Sequence, residues 1–125
     1  MISWPPATLS AIVEADDLKI SPLREDGVTF GTPTWIWCVA VDGDLFVRGY
    51  HGASSRWYVA ALAHPDGRIH AAGAVFDVTF ETAPAELAAA IDAAYERKYA
   101  KSPYLAPMIA SGPRAACLRI VPRRP

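Results

Sequence analysis

The chain has 125 residues and a formal net charge of −1, and 52% of its residues are hydrophobic while 20% are charged. These proportions exclude a globally disordered chain, and the length predicts a single domain over residues 1–125. The near-zero charge argues against a nucleic-acid-binding protein, which needs a basic excess. The aromatic content is high, since the chain has four Trp and five Tyr, most of them between residues 35 and 58.

The ends and the cysteines of the chain predict its compartment. Residues 1–6 lack the basic and apolar parts of a signal peptide, and no apolar run is long enough to span a membrane. Cys38 and Cys117 each lie in an apolar run, which predicts two buried thiols. We therefore expect a cytoplasmic protein with reduced cysteines and no membrane partner.

The first predicted elements are a short helix and an edge strand. Apolar residues at helical spacing predict a helix over residues 7–16, with Thr8 or Ser10 as its cap. Residues 18–23 alternate in polarity and contain Pro22, which is typical of an edge strand.

The strongest β signal is a hairpin. Residues 34–41 are β-branched, aromatic or apolar on both faces, which predicts a fully buried central strand. Asp42 and Gly43 favour the positive φ values of a tight turn, so residues 44–50 should return as the partner strand.

A glycine-containing polar loop, residues 51–55, follows this hairpin. Ser54 or Ser55 is expected to cap a helix that ends near Ala63. A second hairpin is then predicted from residues 68–72 and 74–81, with its turn near Gly73.

The last part of the chain is predicted as a helix, a loop and a strand. Thr82 is expected to cap a long helix whose apolar stripe runs from Leu87 to Lys98. Residues 101–114 are rich in Pro, Gly and Ser and indicate a loop, with at most a short helical turn near 106–110, and residues 115–121 indicate a final strand. Two hairpins, each followed by a helix, predict an antiparallel α+β fold, most simply a small barrel of about six strands with flanking helices.

Common catalytic and nucleotide-binding motifs are missing from the sequence. It has no glycine-rich phosphate loop, no nucleophile elbow and no zinc-protease motif. His51, His64 and His70 lie far apart in the sequence without acidic partners at ligand spacing, so no metal site is predicted.

The segment from residue 48 to residue 58 combines features of a ligand site. A strand ends, a loop turns, and a helix begins, so unpaired backbone N–H groups are expected beside basic, hydroxyl and small residues: Arg48, Gly49, Gly52, Ser54, Ser55 and Arg56. Tyr50, Trp57 and Tyr58 add rings that can stack on a planar ligand. The segment predicts a pocket for an aromatic or anionic small molecule; alternatively, the serines only cap the helix and the rings pack in the core.

Further residues are candidates beside this pocket. His51 is a possible proton donor or anion contact, or simply an exposed loop histidine. Trp35 and Trp37 lie two apart on one strand and either face a ligand or pack in the core. Tyr104 and Met108 lie in a loop that is either a flexible lid or a proline-braced connection.

The sequence resembles the family called domain of unknown function 2255. The segments that carry the resemblance are 31–37, 41–48, 56–62, 67–73 and 90–99, followed by Ser102, Pro103 and Tyr104. More distantly, the order of strand, Asp-Gly turn, strand, glycine loop and Trp-Tyr helix is similar to split β-barrel flavoproteins, in particular the relatives of deazaflavin-dependent nitroreductases.

The distant resemblance implies a split β-barrel, often a homodimer, that binds a flavin or deazaflavin coenzyme and acts as an oxidoreductase. It implies a cofactor site at Arg48, the loop from Tyr50 to Ser55, Arg56, Trp57 and Tyr58. Together with the pocket analysis, the expected cofactor-binding residues are Trp35, Trp37, Arg48, Gly52, Ser54, Ser55, Arg56, Trp57 and Tyr58. Tyr50 and His51 are the expected catalytic residues, and Tyr104 and Met108 are expected to bind substrate.

The sequence departs from the deazaflavin pattern at one place. Thr32 and Thr34 stand in the Gly-x-Pro-x segment, where that group commonly has a basic residue. This difference keeps two alternatives open: a non-redox biosynthetic enzyme and a protein that binds a small ligand without catalysis.

Overall fold

Seven antiparallel strands form one sheet in the computed structural model, which describes residues 3–123. The strands are β1 (Lys19–Pro22), β2 (Thr34–Trp35), β3 (Cys38–Val41), β4 (Asp44–Arg48), β5 (Asp66–Ala71), β6 (Ala74–Thr82) and β7 (Cys117–Pro122), in the spatial order β2-β1-β5-β6-β7-β4-β3. The helices are α1 (Pro6–Ala15), α2 (Arg56–Ala63), α3 (Ala88–Lys98), α4 (Leu105–Met108) and α5 (Ser111–Ala115). The predicted α+β class is confirmed, with seven strands rather than about six.

The predicted central strand over residues 34–41 is wrong. This segment contributes β2 to one edge of the sheet and β3 to the opposite edge. Only Ile36 and Trp37 separate the two strands, and the Ile36 N–H donates to the carbonyl of Leu18 at 3.0 Å as the chain turns. Because three residue steps span at most about 11 Å, the two edges must lie close together and the sheet must curl into a half-barrel.

The edge-strand prediction for residues 18–23 is also wrong. β1 pairs with β2 on one side and with β5 on the other. Pro22 is tolerated because it is the last residue of β1, where a missing N–H costs the sheet little.

Both hairpin turns are confirmed. Asp42 and Gly43 join β3 to β4 with φ values of 52° and 82°, and Ala72 and Gly73 join β5 to β6 with 52° and 76°. Two consecutive positive φ values match the right-handed twist of paired strands.

Two apolar clusters lie on opposite faces of the sheet, so both faces of β4 are buried. Leu45 and Val47 belong to the cluster inside the curled sheet, together with Trp4. Phe46 belongs to a second cluster against α3, with Ile91 and other residues. Arg48 shares the face of Phe46, because side chains alternate along a strand.

The predicted helix caps are not observed. Thr8 and Ser10 lie inside α1, which begins at Pro6, where a missing N–H costs nothing. Thr82 is the last residue of β6, and a 3₁₀ turn over Ala85–Leu87 leads into α3 instead. Ser55 does precede α2, but its side chain makes no capping hydrogen bond.

The remaining expectations concern the loop, the cysteines and the membrane. The predicted loop over residues 101–114 contains two short helices, α4 and α5. Cys38 and Cys117 are buried and unpaired with each other, as predicted. Among residues 3–123, no helix has the length and apolar character needed to traverse a lipid bilayer.

Candidate functional site

A cavity of about 810 Å³ opens between the crossing from β2 to β3, the end of β4, the start of α2, and α4. This size is typical of small-molecule sites. The sequence-predicted residues that line it are Trp35, Trp37, Arg48, Tyr50, His51, Ser54, Ser55, Arg56, Trp57, Tyr104 and Met108; the structure adds Thr34 and Ile36. Residues up to 74 positions apart in the chain, Thr34 and Met108, thus share one cavity, because the crossing segment and α4 both approach the loop after β4.

Two predicted site residues, Gly52 and Tyr58, lie behind the cavity wall. Tyr58 is buried, and its hydroxyl donates to the carbonyl of Ala115 at 3.4 Å. Each helical step rotates the side chain by about 100°, so Tyr58 faces away when its neighbour Trp57 faces the cavity. Gly52 has a φ of +67° and packs against the backbone of Gly112. Both residues contact α5 and are not among the residues that line the cavity.

Aromatic rings form much of the cavity wall. Trp35 is 53% exposed, and its indole N–H donates to the carbonyl of Asp16 at 3.1 Å. Trp37 stacks on Tyr99, with ring centroids 3.8 Å apart and an angle of 4° between the planes. The two tryptophans therefore present rings whose orientation is fixed by neighbours outside the cavity.

The mouth of the cavity carries a second group of rings. Tyr50 and Tyr104 are 43% and 58% exposed, and their rings meet edge to face with centroids 6.0 Å apart. Tyr50 also lies edge to face with His51 at 5.3 Å. Exposed rings around a concave site offer stacking surface to a planar molecule.

Hydrogen-bond donors gather where α2 begins. Ser54 donates to the carbonyl of His51 at 2.9 Å and closes a 3₁₀ turn over Gly52–Ser54. The Ser55 hydroxyl is buried and has no hydrogen-bond partner among residues 3–123. Arg56 is exposed and forms no ion pair with the described side chains. This corner of the cavity is rich in donors, and no Asp or Glu lines the cavity within the described chain.

Arg48 is the lining residue whose role the structure changes most. Its side chain is fully buried, and its Nη1 lies 2.5 Å from Oδ1 of Asp92 on α3. The same nitrogen donates to the carbonyl of Met108, and Nη2 donates to that of Ala88, each at 3.2 Å. The positive charge of Arg48 is thus neutralised by Asp92, and its Nε is buried without a hydrogen-bond partner among residues 3–123.

Asp92 also forms an ion pair with Arg114 of α5, so one carboxylate holds two arginines. Burial alone raises the pKa of Asp92, but hydrogen bonds from Arg114 and Arg48 outweigh burial and hold the pKa below its usual value. Sequence reasoning missed Asp92. The available signal was Arg48 itself, since an arginine in an apolar strand requires a buried partner.

Two other polar groups near the crossing are structural. Burial raises the pKa of the Cys38 thiol to about 11, so it is not a nucleophile near neutral pH. Lys98 donates to the Cys38 carbonyl at 2.7 Å and lies 3.2 Å from Asp16. No three His, Cys, Asp or Glu residues within 3–123 are grouped so that they could hold a metal ion.

Comparisons with known proteins give a family match and a similar fold. A family model described as an uncharacterized protein conserved in bacteria, DUF2255, matches residues 8–120. No curated protein matches the chain. A solved structure, the conserved hypothetical protein Rv2991 from Mycobacterium tuberculosis, is similar with a TM-score of 0.66 and 16% identity, covering 98% of this chain and 83% of that one. At this identity the likeness establishes the fold alone.

Proposed function

The chain belongs to the DUF2255 family, and we propose that this member binds a flavin or deazaflavin coenzyme in its aromatic cavity and oxidises or reduces a small organic substrate. The observation that carries the proposal is the composition of the cavity wall. Tryptophan rings and a group of hydrogen-bond donors that includes Arg56 line the same cavity. A ligand that joins a planar heterocycle to an anionic group matches both parts.

A buried polar atom tests whether such a coenzyme fits. The Ser55 hydroxyl lines the cavity and lacks a partner within the described chain. Buried polar groups in proteins are nearly always hydrogen-bonded. A ligand oxygen at this corner would supply the missing acceptor, so the donor set suits an anionic coenzyme.

In this proposal the lining residues form groups that bind the ring, the anionic part of the coenzyme and the substrate. The coenzyme, when bound, supplies the hydride chemistry. Trp35 and Trp37 hold the planar ring, and Arg56 with Ser55 holds the anionic group. Tyr50 and His51 stand at the mouth, where a hydroxyl and an imidazole can orient a substrate or give it a proton. Tyr104 and Met108 limit the substrate slot from the side of α4.

One observation favours a non-redox alternative, in which the same cavity binds an aromatic anion without a coenzyme. Thr32 and Thr34 stand where the deazaflavin proteins commonly have a basic residue. In addition, the positive charge of Arg48 is neutralised by its ion pair with Asp92. In this alternative His51 or Tyr50 acts as acid or base, or the protein only binds. If neither type of coenzyme binds, His51→Ala tests this alternative, because unchanged turnover of an identified substrate would eliminate an acid-base role for His51.

The experiment that tests the redox proposal is a fluorescence titration of the purified protein with flavin mononucleotide and with a deazaflavin coenzyme. We expect one of them to bind, and Trp35→Ala to weaken that binding about 10- to 100-fold, because ring stacking contributes about 1–3 kcal/mol. Trp35 is half exposed, so its loss should leave the fold intact. Trp35→Phe is the matched control and should keep most of the affinity. Failure of the wild-type protein to bind either coenzyme would refute the proposal.

We also propose that the protein is a homodimer, as the resemblance to split-barrel flavoproteins implies. Val59 and Leu62 lie one turn apart on α2 and are 53% and 51% exposed, which leaves apolar surface available for a second subunit. Native mass spectrometry should report twice the subunit mass of 13.5 kDa, together with any retained ligand. A monomer at micromolar concentration would contradict the proposal.

A further inference from the structure

We propose that the start of α2 is a subsite for one phosphate monoester of the ligand. The inference rests on the proposed function because it requires the cavity to bind a ligand, and it deepens that function by specifying the ligand's charge. It predicts a planar heterocycle with a single terminal phosphate, rather than a dinucleotide or a polyanionic coenzyme.

Two buried side chains that line the cavity have unused hydrogen-bond donors. Ser55 is 7% exposed and Arg48 is 1% exposed, and both line the cavity. The Ser55 hydroxyl and the Arg48 Nε make no hydrogen bond among residues 3–123. The Nε–H can only donate, and the hydroxyl can donate, so both suit an oxyanion acceptor.

The backbone of α2 adds further donors. The helix has eight residues, and its first intrahelical bond runs from the Val59 N–H to the Ser55 carbonyl at 3.0 Å. The N–H groups of residues 56–58 therefore have no partner within the helix. Together with the helix dipole, these groups favour a negative charge at the helix start. The Arg56 side chain contributes a full positive charge at the same end.

The number of available charges limits the subsite to one phosphate. Arg48 and Arg56 are the charged side chains that line the cavity in the described chain, and Asp92 neutralises Arg48. Arg56 therefore remains as the counter-charge for a ligand. A diphosphate or a polycarboxylate tail would need additional lysines or arginines, which the described cavity wall does not contain.

Gly49 leaves the space that this arrangement needs. A Cβ atom at position 49 would lie 2.6 Å from the Ser55 hydroxyl oxygen and 3.0 Å from the Gly52 carbonyl. Any larger residue would therefore push the hydroxyl and the loop away from their positions. The close approach of Gly49 to Ser55 lets the hydroxyl sit buried beside the helix start.

The test compares three flavins that share one ring but differ in their tails. In fluorescence titrations the wild-type protein should bind flavin mononucleotide at least about tenfold more tightly than riboflavin, and flavin adenine dinucleotide no more tightly than the mononucleotide. Ser55→Ala and Arg56→Gln should each reduce the advantage of the mononucleotide over riboflavin to about threefold or less, because each removes a donor to the phosphate. Arg97→Gln, which removes an exposed arginine outside the cavity, is the charge-matched control and should keep the advantage.

Two outcomes would overturn the inference while leaving the proposed function intact. One is equal binding of riboflavin and flavin mononucleotide to the wild-type protein, and the other is binding of the dinucleotide about tenfold more tightly than the mononucleotide.

If no flavin or deazaflavin binds, the redox proposal fails, and inorganic phosphate then tests the subsite. At constant ionic strength, phosphate should raise the melting temperature of the wild-type protein more than that of Ser55→Ala or Arg56→Gln. An equal response of all three proteins would overturn the inference.

Discussion

Replacing Asp92 with alanine is expected to lower the free energy of unfolding by about 3–5 kcal/mol, because Arg48 would remain buried without its counter-charge. The Asp92 side chain is 11% exposed and that of Arg48 is fully buried, so water cannot take over the role of the carboxylate. The substitution also frees Arg114 and so loosens α5 beside the cavity. Urea unfolding followed by circular dichroism measures the loss.

The matched control for this prediction is Asp77→Ala. Asp77 pairs with Arg68 at 2.9 Å, but both side chains are about half exposed, and such surface pairs contribute about 0–1 kcal/mol. The double variant Arg48→Met with Asp92→Leu should recover much of the stability, because it replaces the buried pair with apolar groups. If Asp92→Ala lowers the free energy of unfolding by no more than Asp77→Ala does, the buried ion pair does not stabilise the fold as the structure indicates.

The pH dependence provides a second readout of the same pair. The folded-state pKa of Asp92 lies below its usual value of 3.8. Its contribution to stability is therefore complete above the unfolded-state pKa and is lost as the pH falls through the folded-state pKa. The difference in stability between wild type and Asp92→Ala should shrink as the solution is acidified below about pH 4. A difference that is constant from neutral pH to acid would contradict this assignment.

Replacing Trp4 with alanine is expected to lower the free energy of unfolding by about 3–5 kcal/mol, the usual range for removing a large buried aromatic side chain. Trp4 is 5% exposed, and its ring meets Phe76 edge to face at 5.4 Å. Its indole N–H donates to the carbonyl of Ile120 at 2.8 Å, so truncation also removes a buried hydrogen bond to β7. Thermal or urea unfolding measures the effect.

Trp35→Ala is the control of the same residue type. Trp35 is half exposed, so its removal should change stability by about 0.5 kcal/mol. Trp4→Phe keeps most of the packing but loses the hydrogen bond. Its loss of stability should therefore lie between those of Trp35→Ala and Trp4→Ala. Equal losses for Trp4→Ala and Trp35→Ala would mean that the segment before α1 does not brace the sheet.

Local sequence signals predicted the parts of the fold that depend on neighbouring residues. The Asp42-Gly43 turn and the Gly73 turn set both hairpins, because positive φ values are a property of the turn residues themselves. The segment 34–41 misled the prediction because strand propensity cannot reveal where a chain leaves one edge and joins another. Some of its apolar residues are buried inside the curled sheet and others against α3. The segment is therefore as apolar as a central strand, although it does not pair with a strand on both sides.

The candidate site was largely predictable because residues 48–58 lie together in the sequence. The prediction failed where distant contacts decide the role of a residue. Arg48 is neutralised by Asp92, 44 positions away, and nothing in the local sequence around Arg48 identifies that partner. Tyr58 was assigned to the cavity with Trp57, although adjacent residues on a helix point in different directions.

The crossing from β2 to β3 also affects how the protein behaves at high concentration. A sheet edge with free N–H and C=O groups is a template on which another molecule can add a strand. Here one edge is the two-residue β2. At the other edge the Cys38 N–H donates to the Tyr99 hydroxyl oxygen, and the Cys38 carbonyl accepts from Lys98. Little free backbone is left for fibril-like growth, so the protein can present exposed tryptophan and tyrosine rings to a ligand without recruiting strands from its neighbours.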